Sequence, residues 1–157
     1  MGRTLDVSAG LLAFRRRSGV EVLLAHPGGP YWAKKDDGAW TIPKGVTEPG
    51  DDLLATARRE FTEETNFVAE GEFIALAPVK QKSGKVVHAW AIEGQFDPAL
   101  FASNTFELEW PPRSGRRQRF PEIDRVAYFP LPIAMTKIVG YQKPFLVELR
   151  RRLGGEI

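Results

Sequence analysis

The segment that most constrains the fold is D-D-L-L-A-T-A-R-R-E-F-T-E-E-T-N, residues 51–66. Leu54, Ala57 and Phe61 recur in it at helical spacing and form one apolar stripe, which predicts a helix packed against a core. The residues that suit the two ends of such a helix are Asp51, Asp52 and Asn66. Any fold of this chain must therefore bury one side of this helix.

Three carboxylates crowd one arc of the same helix, beside the apolar stripe: Glu60, Glu63 and Glu64. Like charges at these spacings repel each other, at a cost of about 0.2–0.5 kcal/mol per pair. A solvated helix face whose charge is offset by Arg58 and Arg59 is the simplest explanation. The position of the carboxylates at the edge of the core favours a different one, a functional site. Mg²⁺ and Mn²⁺ prefer such oxygen ligands.

The spacing around this helix resembles the Nudix box. Gly45 is followed after five residues by Asp51, and after seven more by R-E-F-T-E-E-T-N-F at residues 59–67. Two positions depart from the family pattern, because Asp51 replaces a glutamate and Asn66 replaces a glycine. Asn tolerates a left-handed turn, and the Arg-Glu and Glu-Glu pairs that carry the chemistry are present.

This resemblance implies an α/β fold, a Nudix-type α/β/α sandwich with a mixed β-sheet. It also implies a metal-dependent pyrophosphohydrolase that cleaves a phosphoanhydride bond in a nucleoside diphosphate-linked substrate. Glu60, Glu63 and Glu64 would hold Mg²⁺ or Mn²⁺, the backbone carbonyl of Lys44 or Gly45 would add a ligand, and Arg59 would orient the glutamates. The implied catalytic residues are Glu60, Glu63, Arg59 and Glu122.

Glu122 enters this set because the family often supplies a further glutamate about six residues before an aromatic residue, ahead of the last strand. Glu122 and Tyr128 fit that spacing. A solvated loop charge is the competing interpretation of Glu122. Glu107 and Glu109, in F-E-L-E-W, are rival candidates for the same role.

Candidate substrate-binding residues lie mainly in W-P-P-R-S-G-R-R-Q-R, at residues 110–119. Four arginines can clamp phosphate oxygens there, and a tryptophan can stack on a base or anchor its own loop. Lysines in the loops add positive potential. The residues concerned are Arg113, Arg116, Arg117, Arg119, Trp110, Lys34, Lys35 and Lys44.

The remaining patterns predict strands at residues 6–15, 21–26 and 125–129, a hairpin of residues 73–81 and 86–93, and helices at 132–139 and 143–153. The segment 40–43 is expected to be extended, and 44–50 to be a loop. The stretch 98–120 shows no regular pattern and is expected to be a long functional loop. Strands that alternate with helices indicate a mixed sheet with helices on its faces.

The length, 157 residues, suits one domain, and we predict a single Nudix hydrolase domain over residues 1–157. The formal net charge of +2 is too small to indicate a stable nucleic-acid partner. The absence of cysteine excludes thiolate chemistry and fits a cytoplasmic protein, and no membrane segment is expected. His26 and His88 are interpreted as structural, and Asp36 and Asp37 as loop charges to which the sequence assigns no clear role.

The partner expected is therefore a nucleotide substrate, bound by a monomer or a homodimer. W-T-I-P-K-G-V-T-E-P-G, with K-S-G-K downstream, most resembles dinucleoside polyphosphate hydrolases. Two alternatives stay open: a nucleotide-pool-cleaning nucleoside triphosphate pyrophosphatase, and a catalytically weak nucleotide-binding regulatory Nudix domain. A regulatory domain would usually have lost a glutamate of the box.

Overall fold

The structure is a computed structural model that describes residues 6–154. Its helices and strands follow one another in this order: β1 (Val7–Arg16), β2 (Val20–Pro27), β3 (Lys44–Val46), α1 (Leu53–Thr65), β4 (Phe73–Ala75), β5 (Val79–Lys80), β6 (Val86–Glu93), a 3₁₀ turn (Pro98–Leu100), β7 (Thr105–Glu109), β8 (Arg117–Pro121), β9 (Ile123–Pro130), α2 (Leu131–Lys137), a 3₁₀ turn (Gly140–Gln142) and α3 (Lys143–Arg152). No helix within the described range is long and apolar enough to cross a bilayer.

A seven-stranded mixed sheet lies at the centre, with the strand order β4-β6-β1-β2-β9. β1 and β6 run parallel, while β3 is antiparallel to β1 and β5 is antiparallel to β6. Alternate residues of β1 enter two different cores. Leu11 and Ala13 pack with Phe61 of α1, and Leu12 and Phe14 pack with α2 and α3. The predicted α/β sandwich is confirmed.

The ends of α1 explain why the helix spans these residues. Asp52 is the N-cap, and its carboxylate accepts hydrogen bonds from the N–H groups of Leu54 and Ala55 at 3.0 and 3.2 Å. Asp51 instead accepts from the N–H of Glu48 at 2.9 Å and so closes the turn before the helix. Asn66 ends the helix with φ at 69°, the left-handed conformation predicted for it.

Two segments differ from the sequence predictions. Lys44–Val46, expected to be loop, is the strand β3, because pairing with β1 satisfies its backbone groups. The stretch 98–120, expected to be irregular, contains an antiparallel two-stranded ribbon of β7 and β8. Phe106 and Phe120 lie on one side of this ribbon, 6.1 Å apart between ring centroids, and give it an apolar face.

The loop between β2 and residue 40 is held at its base by buried His26. The ring of His26 is fully buried, and its Nε2 lies 2.6 Å from the backbone oxygen of Lys35. Its Nδ1 lies 2.9 Å from Oδ1 of Asp124 in β9. Two oxygen acceptors on opposite sides fix the plane of the ring, which confirms the structural interpretation of His26.

The far end of the same loop is held by Asp36, which has a role that the sequence did not suggest. Its carboxylate accepts from Nε1 of Trp40 at 2.8 Å and from Nζ of Lys137 in α2 at 2.7 Å. Asp37 lies 3.2 Å from the same ammonium group. The hydrogen bonds to Lys137 and Trp40 lower the pKa of Asp36. The loop is thereby tied to the helix that follows the sheet.

Replacement of Asn66 tests the end of α1. Asn66→Ala places a Cβ-bearing residue without a local hydrogen-bonding side chain at a left-handed φ, which costs about 1 kcal/mol. That loss lowers the thermal midpoint by about 2–4 °C. Asn66→Gly, the residue of the family pattern, is expected to be at least as stable as the wild type. Thermal melts of the three proteins measure this, and equal midpoints for Ala and Gly would contradict the left-handed assignment.

Candidate functional site

The glutamates of α1 lie over β3, and the contact is close at Gly45. Gly45 pairs with Ala9 of β1 and faces the side chain of Glu60. A Cβ atom added at Gly45 would overlap the carboxyl group of Glu60. Glycine at this position therefore lets Glu60 lie directly against β3, and a larger residue would force the side chain of Glu60 into another rotamer.

Glu64 is the most buried carboxylate of the cluster. Its Oε2 is inaccessible to solvent and has no hydrogen-bond partner, the one buried side-chain polar atom in this condition within residues 6–154. Burial, and then the nearby charge of Glu60, raise the pKa of Glu64 to about 8. The charge and the backbone N–H of Lys44 act in the opposite direction. An oxygen atom of this kind needs a cation or a proton.

Glu60 and Glu63 are more accessible and share Arg59. Burial raises the pKa of Glu60, and the charge of Glu63 adds to the effect. Arg59 opposes this shift from 3.8 Å, and it lies 3.9 Å from Glu63. The side chains of Glu60 and Glu63 are 20% and 47% exposed. Solvent exposure therefore increases from Glu64 through Glu60 to Glu63.

Glu122 lies at the same site although it is distant in sequence. It occupies the single residue between β8 and β9, and its charge raises the pKa of both Glu60 and Glu64. Its backbone oxygen accepts from the N–H of Gly28 at 2.9 Å, and its N–H donates to Asn104 at 2.8 Å. Backbone hydrogen bonds on both sides thus hold Glu122 in place.

Glu107 and Glu109, the alternatives to Glu122 as a catalytic residue, make their contacts within the ribbon of β7 and β8. Glu107 in β7 lies 3.9 Å from the guanidinium groups of both Arg117 and Arg119. Glu109 accepts from the N–H of Gly115 at 2.8 Å and so stabilises the turn at the ribbon tip. These contacts give both carboxylates structural partners in the ribbon.

The four arginines predicted to bind phosphate lie along this ribbon, with Arg119 two residues before its base at Pro121. Arg117 is four residues before Pro121, at the base of the ribbon, which corresponds to about 13 Å of strand. Arg113 and Arg116 lie beyond it, in the connection between β7 and β8. The ribbon tip is therefore separated by the length of the strand from the ribbon base, which Glu122 directly follows.

The donor set fits a divalent cation. Carboxylate oxygens cluster beside β3, where Glu60 lies against Gly45, and Oε2 of Glu64 lacks a partner. In the described part of the chain, however, no three His, Asp or Glu side chains converge closely enough to hold a metal ion. A cation bound between these glutamates therefore requires a change of rotamer, most easily at exposed Glu63.

Comparison with known proteins agrees with this geometry. The family model of the NUDIX domain matches residues 4–148. The Ap4A hydrolase of C. elegans, solved as a binary complex, superposes with a TM-score of 0.65 at 22% identity, over 94% of this chain and 98% of that chain. The NUDIX domain of Shewanella oneidensis NrtR, solved with ADP ribose, superposes with a TM-score of 0.63 at 17% identity, over 97% of this chain and 90% of that chain.

The MutT protein of Methanosarcina mazei Go1 also superposes, with a TM-score of 0.63 at 18% identity over 98% of both chains. No curated protein sequence matched this chain significantly. Because the family model covers nearly the whole chain, this protein belongs to the NUDIX family. The predicted enzyme class, a Nudix hydrolase acting on pyrophosphate bonds, is confirmed.

The raised pKa of Glu64 predicts how stability depends on pH. In the unfolded chain Glu64 ionises near 4.5, and in the folded protein near 8, so ionisation opposes folding as the pH rises through this window. Without added metal, Glu64→Gln is expected to melt several degrees above the wild type at about pH 9 and close to it at about pH 4. Differential scanning calorimetry measures these melting temperatures. A difference between the two proteins that does not change with pH would contradict the raised pKa of Glu64.

Proposed function

We propose that this Nudix hydrolase is a divalent-metal-dependent pyrophosphohydrolase of nucleoside diphosphate-linked substrates, with dinucleoside polyphosphates as the favoured class. The observation that carries the metal site is the unpartnered, buried Oε2 of Glu64 among Glu60, Glu122 and β3. The proposed cation is Mg²⁺ or Mn²⁺, since the donors are all oxygen atoms.

The ligands of the cation would be Glu60, Glu63, Glu64 and the backbone carbonyl of Gly45. A bound divalent ion supplies positive charge that stabilises the phosphoryl oxygens and acidifies a water molecule. Arg59 holds Glu60 and Glu63 in place through its contacts at 3.8 and 3.9 Å. The positive charge of Arg59 thereby offsets part of the repulsion between these two carboxylates.

Proton transfer is assigned to the carboxylates at the open side of the site. A general base must be ionised at neutral pH and reach water, and both Glu63 and Glu122 are exposed residues. Glu64 is a poor base in the absence of metal because its pKa of about 8 leaves it largely protonated at neutral pH. We therefore assign the base to Glu122 or Glu63, with Glu60 and Glu64 as ligands.

Substrate phosphates would meet positive charge on two sides. Lys44, in β3, stabilises the charged form of Glu64 and faces the cluster. On the ribbon, Arg117 and Arg119 share one acidic partner, Glu107, at 3.9 Å. An extended polyphosphate could contact both regions, which favours a long substrate over a nucleoside triphosphate.

We further propose that the protein acts in the cytoplasm as one domain, either as a monomer or as a homodimer. The competing substrate class is the nucleoside triphosphates, and the competing non-enzymatic role is nucleotide-dependent regulation. A screen with Mg²⁺ against nucleoside triphosphates, dinucleoside polyphosphates, nucleotide sugars and ADP ribose separates these possibilities. Hydrolysis of no compound would overturn the proposed function.

Removal of single carboxylates tests the site. Glu63→Gln and Glu64→Gln are each expected to lower kcat by roughly 10²-fold or more, because each removes a charged ligand or an acceptor of the proton. Circular dichroism should show an intact fold in both. Glu70→Gln, an exposed glutamate outside the site, is the matched control and should keep full activity. Full Mg²⁺-dependent turnover in both site variants would disprove the metal assignment.

A further inference from the structure

The loop after β2 displays two exposed aromatic side chains. Tyr31 is 58% exposed and Trp32 is 40% exposed, and they are the exposed aromatic residues of the described range 6–154. Large aromatic rings are usually buried because each covers a large apolar area. Two adjacent rings held in solvent therefore indicate a surface that receives a ligand.

The backbone beneath these rings is held before them by the hydrogen bond from the N–H of Gly28 to the oxygen of Glu122, and after them at Lys35 and Asp36. His26 holds the oxygen of Lys35, and Asp36 holds Trp40 and Lys137. Within the loop, the N–H of Lys35 donates to the oxygen of Trp32 at 2.9 Å. A ligand that stacks on these rings therefore loses little free energy to ordering of the loop.

The ribbon completes the aromatic surface. The ring of Trp110, near the ribbon tip, meets that of Tyr31 edge to face, with 5.1 Å between centroids and 77° between planes. Phe106 of the ribbon lies against Gly29 of the loop. The base of the loop contacts Glu122 through the N–H of Gly28, so this surface is continuous with the carboxylate site.

Positive charge without carboxylate partners surrounds these rings. Within residues 6–154, no acidic side chain lies within ion-pair distance of the four cations Lys34, Lys35, Arg113 and Arg116. The ammonium group of Lys35 lies 5.0 Å from the ring of Trp32. Aromatic rings beside unpaired cations suit a base that carries phosphate.

The position of Trp110 selects long substrates. The backbone N–H of Trp110 donates to the backbone oxygen of Arg116 at 2.9 Å, and Arg116 lies five residues before Pro121. That separation is about 17 Å of extended strand. A base on Trp110 and an anhydride at the glutamates must therefore be joined by a spacer, such as a chain of several phosphates.

We propose that Tyr31, Trp32 and Trp110 form a stacking platform for the distal nucleobase of a dinucleoside polyphosphate. The proposal rests on the proposed function, because it takes the glutamates as the place of cleavage. A single-stranded nucleic acid is the other ligand that stacks on such a surface. The carboxylates of Asp36, Asp37, Glu107 and Glu109 around the same loop and ribbon disfavour a long polyanion.

Binding to a slowed enzyme tests the platform. In the Glu63→Gln background, Tyr31→Ala and Trp32→Ala are each expected to weaken binding of diadenosine tetraphosphate by about 5- to 150-fold, the range for one lost stacking contact. Trp32→Phe should restore most of the affinity. Isothermal titration calorimetry with Mg²⁺ present gives these constants. Val147→Ala, an exposed apolar residue of α3, is the matched control.

Inorganic tripolyphosphate serves as the probe without a base. Its binding is expected to be the same in Tyr31→Ala, Trp32→Ala and the parent protein. If the variants lost affinity equally for tripolyphosphate and for the dinucleotide, the substitutions would act on the loop as a whole, and the stacking proposal would be overturned. Unchanged dinucleotide binding, or loss confined to a single-stranded oligonucleotide, would also overturn the platform. Failure of the wild type to hydrolyse any nucleotide would instead disprove the proposed function itself.

Discussion

The burial of Glu64 beside Glu60 is the constraint on which the rest of the site depends. A carboxylate oxygen without a partner in a poorly solvated place opposes folding whenever it is ionised, and its pKa of about 8 expresses that cost. The chain could avoid the cost with an uncharged residue at this position. The helix instead keeps two neighbouring carboxylates, and Gly45 leaves space for that of Glu60. A destabilising arrangement of this kind is typical of a functional site.

The surrounding fold holds that arrangement rigidly. α1 packs Phe61 and Ala57 into one core of the sheet, so the helix backbone that carries the carboxylates is held next to β3. β3 is in turn paired with β1, the central strand that contributes to both cores. The backbone of α1 is thus fixed relative to Lys44, while the side chain of Glu63 is half exposed and contacts Arg59 at its surface. The loop after β2 and the ribbon of β7 and β8 form a second surface beside the site. The hydrogen bond between Gly28 and Glu122 connects this surface to the carboxylates.

Sequence patterns predicted the helix well, because periodicity, capping residues and spacing all agreed over residues 51–66. β3 could not be predicted, since three residues in a Gly- and Pro-rich segment carry no periodic signal. The ribbon was missed although T-F-E-L-E alternates apolar and polar residues, a signal obscured by the prolines and arginines around it. Tertiary packing produces three further features that local sequence patterns do not contain. They are the burial of Glu64, the hydrogen bond that Asp36 accepts from Lys137, and the contact of Tyr31 with Trp110. The predicted roles of the site residues stay predictions.

The most direct test of this account is the release of protons when metal binds. Isothermal titration of the wild type with Mn²⁺ at about pH 7, in buffers of different ionisation enthalpy, counts the protons released. Because Glu64 is largely protonated there and must ionise to become a ligand, about one proton should be released per binding event, and the release should vanish at about pH 9.5 and in Glu64→Gln. Equal affinity without proton release in both proteins would contradict the claim that Glu64 is the buried ligand.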